Sequence, residues 1–241
     1  MGQIIVSGNL KGGTGKTTIA VNLACAFAAR GFAASVLDVD PQGSALEWSQ
    51  HGRLPVAVGG VPSIQVTGSS RWLSRAAELA KGVDVLVIDL PPLIVPAIAA
   101  AMMIADLVLV PITPSAVDVA PTERVLRTIR IARESRPEGR PKALLVPNKV
   151  DSQGDYNAAT ETAVDSLHEH WAPPVRQHTD HVNAFAVGDW TGGYAPNSPA
   201  TSDILALADA AQAMLGLRPR PGLAAMWPAA ALAEAELRAP V

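Results

Sequence analysis

The chain is short of cysteine, of aromatic residues and of charge, and each shortage removes a class of protein. Its single cysteine, Cys25, lies within an apolar helical run, so neither a disulfide framework nor a cysteine-ligated metal site can form within one chain. A small buried core residue is the expectation there. Aromatic residues make up only 4%, and alanine supplies much of the 49% that is apolar, a composition suited to helices packed tightly on a sheet. Charged residues reach 17%, which with so much apolar surface argues for a globular protein and against a disordered one. Positive charge is not in excess either. With a formal net charge of −3 the chain is no wholesale nucleic-acid binder, and any DNA contact must come from a local patch or a multimer's surface. No uninterrupted apolar run reaches the roughly 18 residues needed to span a bilayer; the longest candidate, Leu93 to Ala105, contains Pro96 and is bounded by Asp89 and Asp106. The opening residues, Met1 to Ser7, read as a strand rather than a signal segment. A cytoplasmic protein is expected, with its 241 residues forming one domain.

What is present is an alternation of short β-branched runs with longer helical ones. Ile4-Ile5-Val6, Ala34 to Val39, Val83 to Ile88, Leu107 to Val110 and Ala143 to Val146 read as strands, with little polar alternation, as strands covered on both faces require. Helices are expected over Thr17 to Arg30, with Gly31 as a stop, and over Leu73 to Ala80, Ala97 to Ile104, Pro121 to Arg136, Asn157 to Trp171 and Thr201 to Leu215. This order implies an α/β, doubly wound, mainly parallel sheet flanked by helices. Pro91-Pro92 and Pro111 are read as ending two strands at the edge where such folds bind ligands. Residues 1–215 form the expected domain. From 216 to 241 the composition turns to Arg218-Pro219-Arg220-Pro221-Gly222 and an Ala-rich segment broken by Pro228, an appended tail.

The first strand runs into Lys11-Gly12-Gly13-Thr14-Gly15-Lys16-Thr17-Thr18. A loop that cradles phosphates needs glycines so that successive backbone N–H groups converge on the oxygens, and a helix N-terminus aimed at the charge. Gly12, Gly13 and Gly15 meet the first need, and the helix opening at Lys16 meets the second. Lys16 is placed to reach the β- and γ-phosphates, Thr17 to take a Mg²⁺ position and Thr18 to lie near the α-phosphate. The usual pattern G-x-x-x-x-G-K-[ST] expects glycine at position 10; here position 10 is Leu10, and a lysine follows at Lys11.

Two further strands end in carboxylates. One leads into Asp38-Val39-Asp40-Pro41-Gln42-Gly43, the other into Asp89-Leu90-Pro91-Pro92. Phosphoryl transfer needs acidic groups at such positions, to hold hydrated Mg²⁺ and to orient the attacking water. Asp89 suits the metal role. Asp38 and Asp40, two apart on an extended strand, are expected to point the same way.

The loop K-G-G-x-G-K-[ST] is the deviant Walker A form and resembles the ParA/MinD branch of P-loop ATPases. The resemblance extends to D-x-D-P-Q with its continuation Gly43 to Trp48, and to Ala105-Asp106-Leu107-Val108-Leu109-Val110-Pro111-Ile112-Thr113-Pro114. It covers about residues 3 to 150 and is nearest to the small ParA type without an N-terminal DNA-binding domain. It implies an ATPase that uses ATP and Mg²⁺, with Lys11 contacting the nucleotide of the opposite subunit in an ATP-dependent homodimer. Asp40 then orients the attacking water, Asp38 supports the Mg²⁺ shell with Thr17 and Asp89, and Asn148 sits where the family contacts adenine. For Asn148 a plain turn-forming role stands open beside that one.

From Thr122 to Lys142 seven basic residues face three acids, a local balance of +4 that leaves −7 for the rest of the chain. Arg124, Arg127 and Arg130 cover one flank of a helix whose buried stripe is Val125, Leu126 and Ile129. Two readings compete, a solvated helix face and a phosphate-contacting surface doubled by a dimer; Arg218 and Arg220 are a second candidate. ParA-like proteins generally bind DNA without sequence preference as ATP dimers, so the resemblance implies nonspecific DNA and a nucleoid location. The histidines His168, His170, His178 and His181 are read as surface residues, the first pair pointing apart on a helix. Trp190, Tyr194 and Trp227 are read as packing residues.

The family resemblance implies a positioning ATPase for a plasmid, a chromosome origin or a protein complex, with a ParB-like or cargo-bound activator. A MinD-like membrane regulator is the alternative, but Leu223 to Val241 carries Pro228, Glu234 and Glu236 against one arginine, a poor basic amphipathic helix. No membrane contact is therefore expected. A metal-cluster carrier of the same fold needs cysteine pairs, and a ligase resembling dethiobiotin synthetase gives no reason for Lys11.

Overall fold

A computed structural model describes residues 1–61, 71–92, 95–115, 119–136, 138–151 and 168–222. The chain runs β1 (Gln3–Ser7), α1 (Lys16–Ala29), β2 (Ala34–Asp38), α2 (Ser44–Ser49), β3 (Ala57–Gly60), α3 (Arg71–Gly82), β4 (Val85–Asp89), α4 (Val95–Ile104), β5 (Leu107–Ile112), α5 (Val119–Glu134), β6 (Lys142–Val150), β7 (His170–Trp171), β8 (Val175–Arg176), α6 (Thr179–Ala186), α7 (Thr191–Tyr194) and α8 (Pro199–Leu215).

Every described strand pairing is parallel, and the eight-stranded sheet has the order β3-β2-β4-β1-β5-β6-β7, with β8 also on β6. Successive residues of one strand serve opposite cores, the two-residue period of extended chain. On one face Ile4, Val6, Leu37, Leu86, Ile88, Val108 and Leu145 pack under α3, α4 and α5, with Trp72 and Met102 among the fully buried side chains. On the other, Ile5, Val36, Val85, Val87, Leu109 and Val146 pack under α1 and α8. Cys25 is fully buried in this second core. Its alanine neighbours Ala20, Ala24 and Ala26, with Ala208 and Ala211 of α8, are all buried there too.

The register sets three strand ends in one row: Ser7 pairs with Asp89, and Asp38 pairs with Asp89. At the other end of β5, Asp106 holds the sheet together, its Oδ2 accepting the Ile4 N–H at 2.7 Å while Arg140 pairs with its Oδ1.

Several expectations need correction. Pro111 lies inside β5 rather than ending it. It is tolerated because β1 pairs with β5 only as far as Leu109, so the missing N–H lies beyond the ladder. Asn148 is a buried residue of β6, not a turn former, because that strand runs to Val150. The helix expected to reach Trp171 does not: His168 has φ 52°, and His170–Trp171 is a strand on the sheet edge, while 157–167 lie outside the described residues. Tyr194 is 41% exposed, so it is not a packing residue, whereas Trp190 packs against the α1 core; Trp227 lies outside the described residues. The start of the expected tail is held on the domain by buried Leu217 and by Arg220, whose Nε lies 2.7 Å from Asp84 Oδ1.

Candidate nucleotide site

The loop between β1 and α1 is fastened at both ends. Asn9, fully buried, donates from Nδ2 to the Pro111 carbonyl at 2.8 Å and accepts the Lys11 N–H on Oδ1 at 3.2 Å. Ser7 donates its hydroxyl to the Lys16 carbonyl at 2.9 Å. At the top of the loop Gly15 has φ 86°, and a Cβ there would stand 2.1 Å from Asn148 Nδ2, so only glycine fits. Asn148 uses that closeness: its Nδ2 donates to the Thr14 carbonyl at 2.7 Å.

Helix α1 begins at this point with no side-chain cap and no acidic residue in its first turn. Its uncapped first-turn N–H groups and the positive end of its dipole suit an anion. Lys16, 7% exposed, donates from Nζ to the Lys11 carbonyl at 3.0 Å. Burial lowers the Lys16 pKa, against the opposing pull of Asp89 and Asp40.

Thr17 and Asp89 meet across the β1–β4 edge, the hydroxyl donating to Oδ2 at 2.6 Å. The other oxygen, Oδ1, is buried and has no hydrogen-bond partner among the described residues. Burial pushes the Asp89 carboxyl up to about 8; the Thr17 hydrogen bond opposes this and the charge of Asp38 adds to it. A buried, underused carboxylate oxygen beside a threonine hydroxyl and a phosphate loop is a donor set suited to Mg²⁺.

Asp38 and Asp40 part company. Asp40 lies past the end of β2 and borders the cleft, whereas Asp38 faces the turn: it accepts the N–H groups of Asp40 at 3.0 Å, Ala45 at 2.9 Å and Leu46 at 3.0 Å. Burial raises the Asp38 pKa and these three bonds lower it, with a net rise. Asp38, whatever it contributes to a metal shell, holds the turn that carries Asp40.

Two cavities meet at the loop. One, of about 340 Å³, is bordered by Gly12, Gly13, Lys16, Thr17, Asp40 and Ser44. The other, of about 320 Å³, is bordered by Asn148, Arg176, Gln177, His178, His181 and Val182. Gly15, Thr18, Trp48, Lys149 and Phe185 border both. The sequence reading missed Asn9, Ser44, Lys149, Gln177 and Phe185. For Lys149 the missed feature is its backbone, at φ 57° in a non-glycine residue, which depends on tertiary context. His178 and His181 are half-buried: His181 Nδ1 and Thr191 Oγ1 form a hydrogen bond at 2.9 Å whose direction follows the histidine tautomer, and His178 Nε2 lies 3.5 Å from Asp203 Oδ2, itself paired with Arg176.

The basic run that begins on α5 divides in two. Arg124, Arg127 and Arg130 are exposed, and Val125, Leu126 and Ile129 are buried, as the helical spacing predicts. The rest are engaged by the protein itself: Arg133 forms a double contact with Glu169 at 2.6 and 3.0 Å, Arg136 donates to the Ala105 carbonyl, Arg140 pairs with Asp106, and the exposed Lys142 donates to the Met214 carbonyl. Arg220 is likewise engaged, with Asp84.

A parallel sheet with a glycine loop opening a helix at the row of strand ends, and a buried threonine–carboxylate pair beside it, defines a P-loop nucleotide-binding protein. The family model CbiA, the CobQ/CobB/MinD/ParA nucleotide binding domain, matches residues 5–178, and the chain belongs to that family. It is 31% identical over 160 residues to the maintenance of carboxysome distribution protein A of Halothiobacillus neapolitanus, covering 66% of this chain and 72% of that one. Among solved structures, apo McdA from Cyanothece superposes with a TM-score of 0.70 at 18% identity, over 88% of this chain and 99% of that one. MinD from Pyrococcus horikoshii in complex with Mg-ADP does so with a TM-score of 0.69 at 19% identity, over 90% and 98%.

Proposed function

We propose that the chain is a Mg²⁺-dependent ATPase that dimerises on ATP, binds DNA without sequence preference and positions a cargo, its hydrolysis stimulated by a partner protein. The observation that carries this reading is the loop itself: Lys11 and Lys16 stand in one glycine turn beside the Thr17–Asp89 pair. Lys16 and the N–H groups opening α1, with Gly12, Gly13, Thr14, Gly15 and Thr18, hold the phosphates. Thr17 and Asp89 would hold Mg²⁺, which would supply positive charge beside the phosphates. Asp40 borders the phosphate cavity and orients the attacking water. Asn148 borders the second cavity, whose size and position suit the base. Lys11 reaches the nucleotide of the facing subunit, so ATP joins two copies. The exposed Arg124, Arg127 and Arg130 then form one half of a doubled phosphate-contacting surface, which places the dimer on the nucleoid.

The name of the Halothiobacillus relative favours a large protein assembly as cargo over a plasmid or chromosome origin. Hydrolysis serves as a timer, and release from DNA resets the cycle. Among the described residues no helix is long and apolar enough to cross a membrane. The test is ATP-dependent binding of the full chain to nonspecific duplex DNA and, in parallel, to anionic liposomes, at several salt concentrations. DNA binding that requires ATP and weakens with salt supports the proposal; liposome binding without DNA binding overturns it in favour of a membrane-associated regulator.

A further inference from the structure

Asp40 sits at the start of a turn whose far side is helix α2, and α2 is held in two places. Its N-terminal end hangs on Asp38 through the Ala45 and Leu46 N–H groups. Its C-terminal end hangs on Trp48. That side chain is 2% exposed, its indole N–H donates to the Asp189 carbonyl at 2.8 Å, and its ring stands edge-on to Phe185 with centroids 5.1 Å apart and planes at 76°. The contact between the two segments is close: Gly188 has φ 72°, and a Cβ there would lie 2.1 Å from His51 Cβ.

The segment that Trp48 grips is the wall of the second cavity. Phe185, with His178, His181 and Val182, borders that cavity, and Trp48 and Phe185 also border the phosphate cavity. The same wall returns to the loop by another route, since the Thr191 N–H donates to Asn22 Oδ1 at 2.8 Å and Asn22 Nδ2 donates to the Thr18 carbonyl at 2.9 Å. A ligand group filling the second cavity therefore bears on the surface that fixes the far end of α2. Lys16 and Thr17, which would hold a phosphate chain, border the other cavity and not this one.

We infer that Trp48 is a positioning residue that transmits occupancy of the base cavity to Asp40, so that hydrolysis is fast only when a base is bound. The inference rests on the ATPase reading above. Packed side chains and a hydrogen bond carry such coupling over short distances, and small misplacements of a reacting group cost large factors in rate.

The experiment compares hydrolysis of ATP and of inorganic tripolyphosphate, both with Mg²⁺, by the unchanged chain, Trp48→Phe and Phe185→Ala. Trp48→Phe keeps an apolar ring and loses the N–H. Phe185 is 38% exposed, so Phe185→Ala leaves a folded protein to measure should the buried substitution unfold the chain. The unchanged chain turns over ATP faster than tripolyphosphate, and either substitution shrinks that advantage roughly tenfold, between the loss of one hydrogen bond and a full misplacement. Most of the loss lies in kcat rather than KM. Loss of stability with equal loss of both activities, an unchanged ratio, or no preference for ATP in the unchanged chain overturns the inference. Failure of the unchanged chain to hydrolyse ATP removes the ATPase reading and the inference with it, whereas intact hydrolysis with an unmoved ratio removes the inference alone.

Discussion

The Thr17 hydroxyl donates to Asp89 Oδ2 at 2.6 Å, and Asp89 Oδ1 on the same carboxylate is buried without a partner among the described residues. A neutral amide in place of that carboxylate can keep the threonine contact but presents no negative charge to a cation. Asp89→Asn should therefore weaken Mg²⁺-supported ADP binding by about ten- to hundredfold and leave Mg²⁺-free binding nearly unchanged, the magnitude typical of disturbed metal surroundings. Calorimetric titration of ADP with Mg²⁺ and with EDTA checks this; a loss of equal size in both would make Asp89 a purely structural group.

The glycine loop that opens α1, the buried Asp89 at the end of β4 and both cores were legible in the sequence because each rests on local spacing: glycines before a helix, a carboxylate closing an apolar run, buried residues at strand period. The second cavity was not. Its wall is made by Gln177, His178, His181 and Phe185, which lie at least 26 residues beyond Asp151 in the chain and reach the loop only because β8 pairs with β6. The strands there are two residues long, below any periodic signal, and β3 is Ala-Val-Gly-Gly, too glycine-rich to read as a strand. Asp38 and Asp40 read as a like-facing pair when β2 is carried past Asp38; the strand stops there, and Asp38 accepts backbone N–H groups of the turn while Asp40 borders the cleft.

Gly15 and Asn148 occupy each other's space, which gives a test of the loop's construction. Gly15→Ala puts a Cβ at φ 86° and 2.1 Å from Asn148 Nδ2, and should destabilise the chain by roughly 2–4 kcal/mol from left-handed strain and overlap together. Asn148→Ala should cost about 1–3 kcal/mol by leaving the Thr14 carbonyl without its partner. Because the second change removes the overlap created by the first, the double variant should lose less than the sum of the two. Urea melts of the three variants measure this, and strict additivity would show that the two side chains do not meet.

His181 gives the fold a pH dependence near neutrality. Burial holds its pKa below the usual 6.5, His178 adds to the depression, and Asp203, Asp180 and the Arg176 backbone oppose it. A base whose folded pKa is depressed is charged more readily in the unfolded chain, so its contribution is complete above about pH 6.5 and is lost as pH falls through the folded value. Asp203 is also shifted: burial raises it, Arg176 lowers it more, and it titrates below its usual 3.8, a separate and more acid window. His181→Gln should flatten the decline in stability between pH 7.5 and 5 relative to the unchanged chain. Parallel slopes in thermal melts across that range would remove His181 from the account.

Arg127 and Arg130 lie with Arg124 on the exposed flank of α5, and they should carry measurable salt dependence in DNA binding. Each phosphate neutralised by an arginine contributes about −0.9 to the slope of log K against log salt. The double replacement Arg127→Ala, Arg130→Ala should therefore weaken ATP-dependent DNA binding and make the slope shallower by about 0.9 for every phosphate left without its arginine, doubled if both subunits of a dimer touch DNA. An unchanged slope, read by fluorescence anisotropy over a salt series, would place the DNA surface elsewhere.

Lys11 and Lys16 separate the two tasks assigned to the loop. Lys16 Nζ is held by the Lys11 carbonyl, a backbone group that survives any change of the Lys11 side chain. Lys11→Ala therefore leaves the phosphate-holding lysine where it is, and ATP binding should remain within about threefold of the unchanged chain, less than 1 kcal/mol. What it removes is a cation that the functional reading sends across a subunit interface, so ATP-dependent dimerisation should disappear. Lys16→Ala removes the buried ammonium beside Asp89 and Asp40 and should impair nucleotide binding and dimerisation together. Sedimentation with ADP and with a slowly hydrolysed ATP analogue separates the outcomes: a Lys11→Ala chain that still dimerises on the analogue would confine Lys11 to its own subunit's nucleotide, and the ATP-joined dimer would need another contact to hold it.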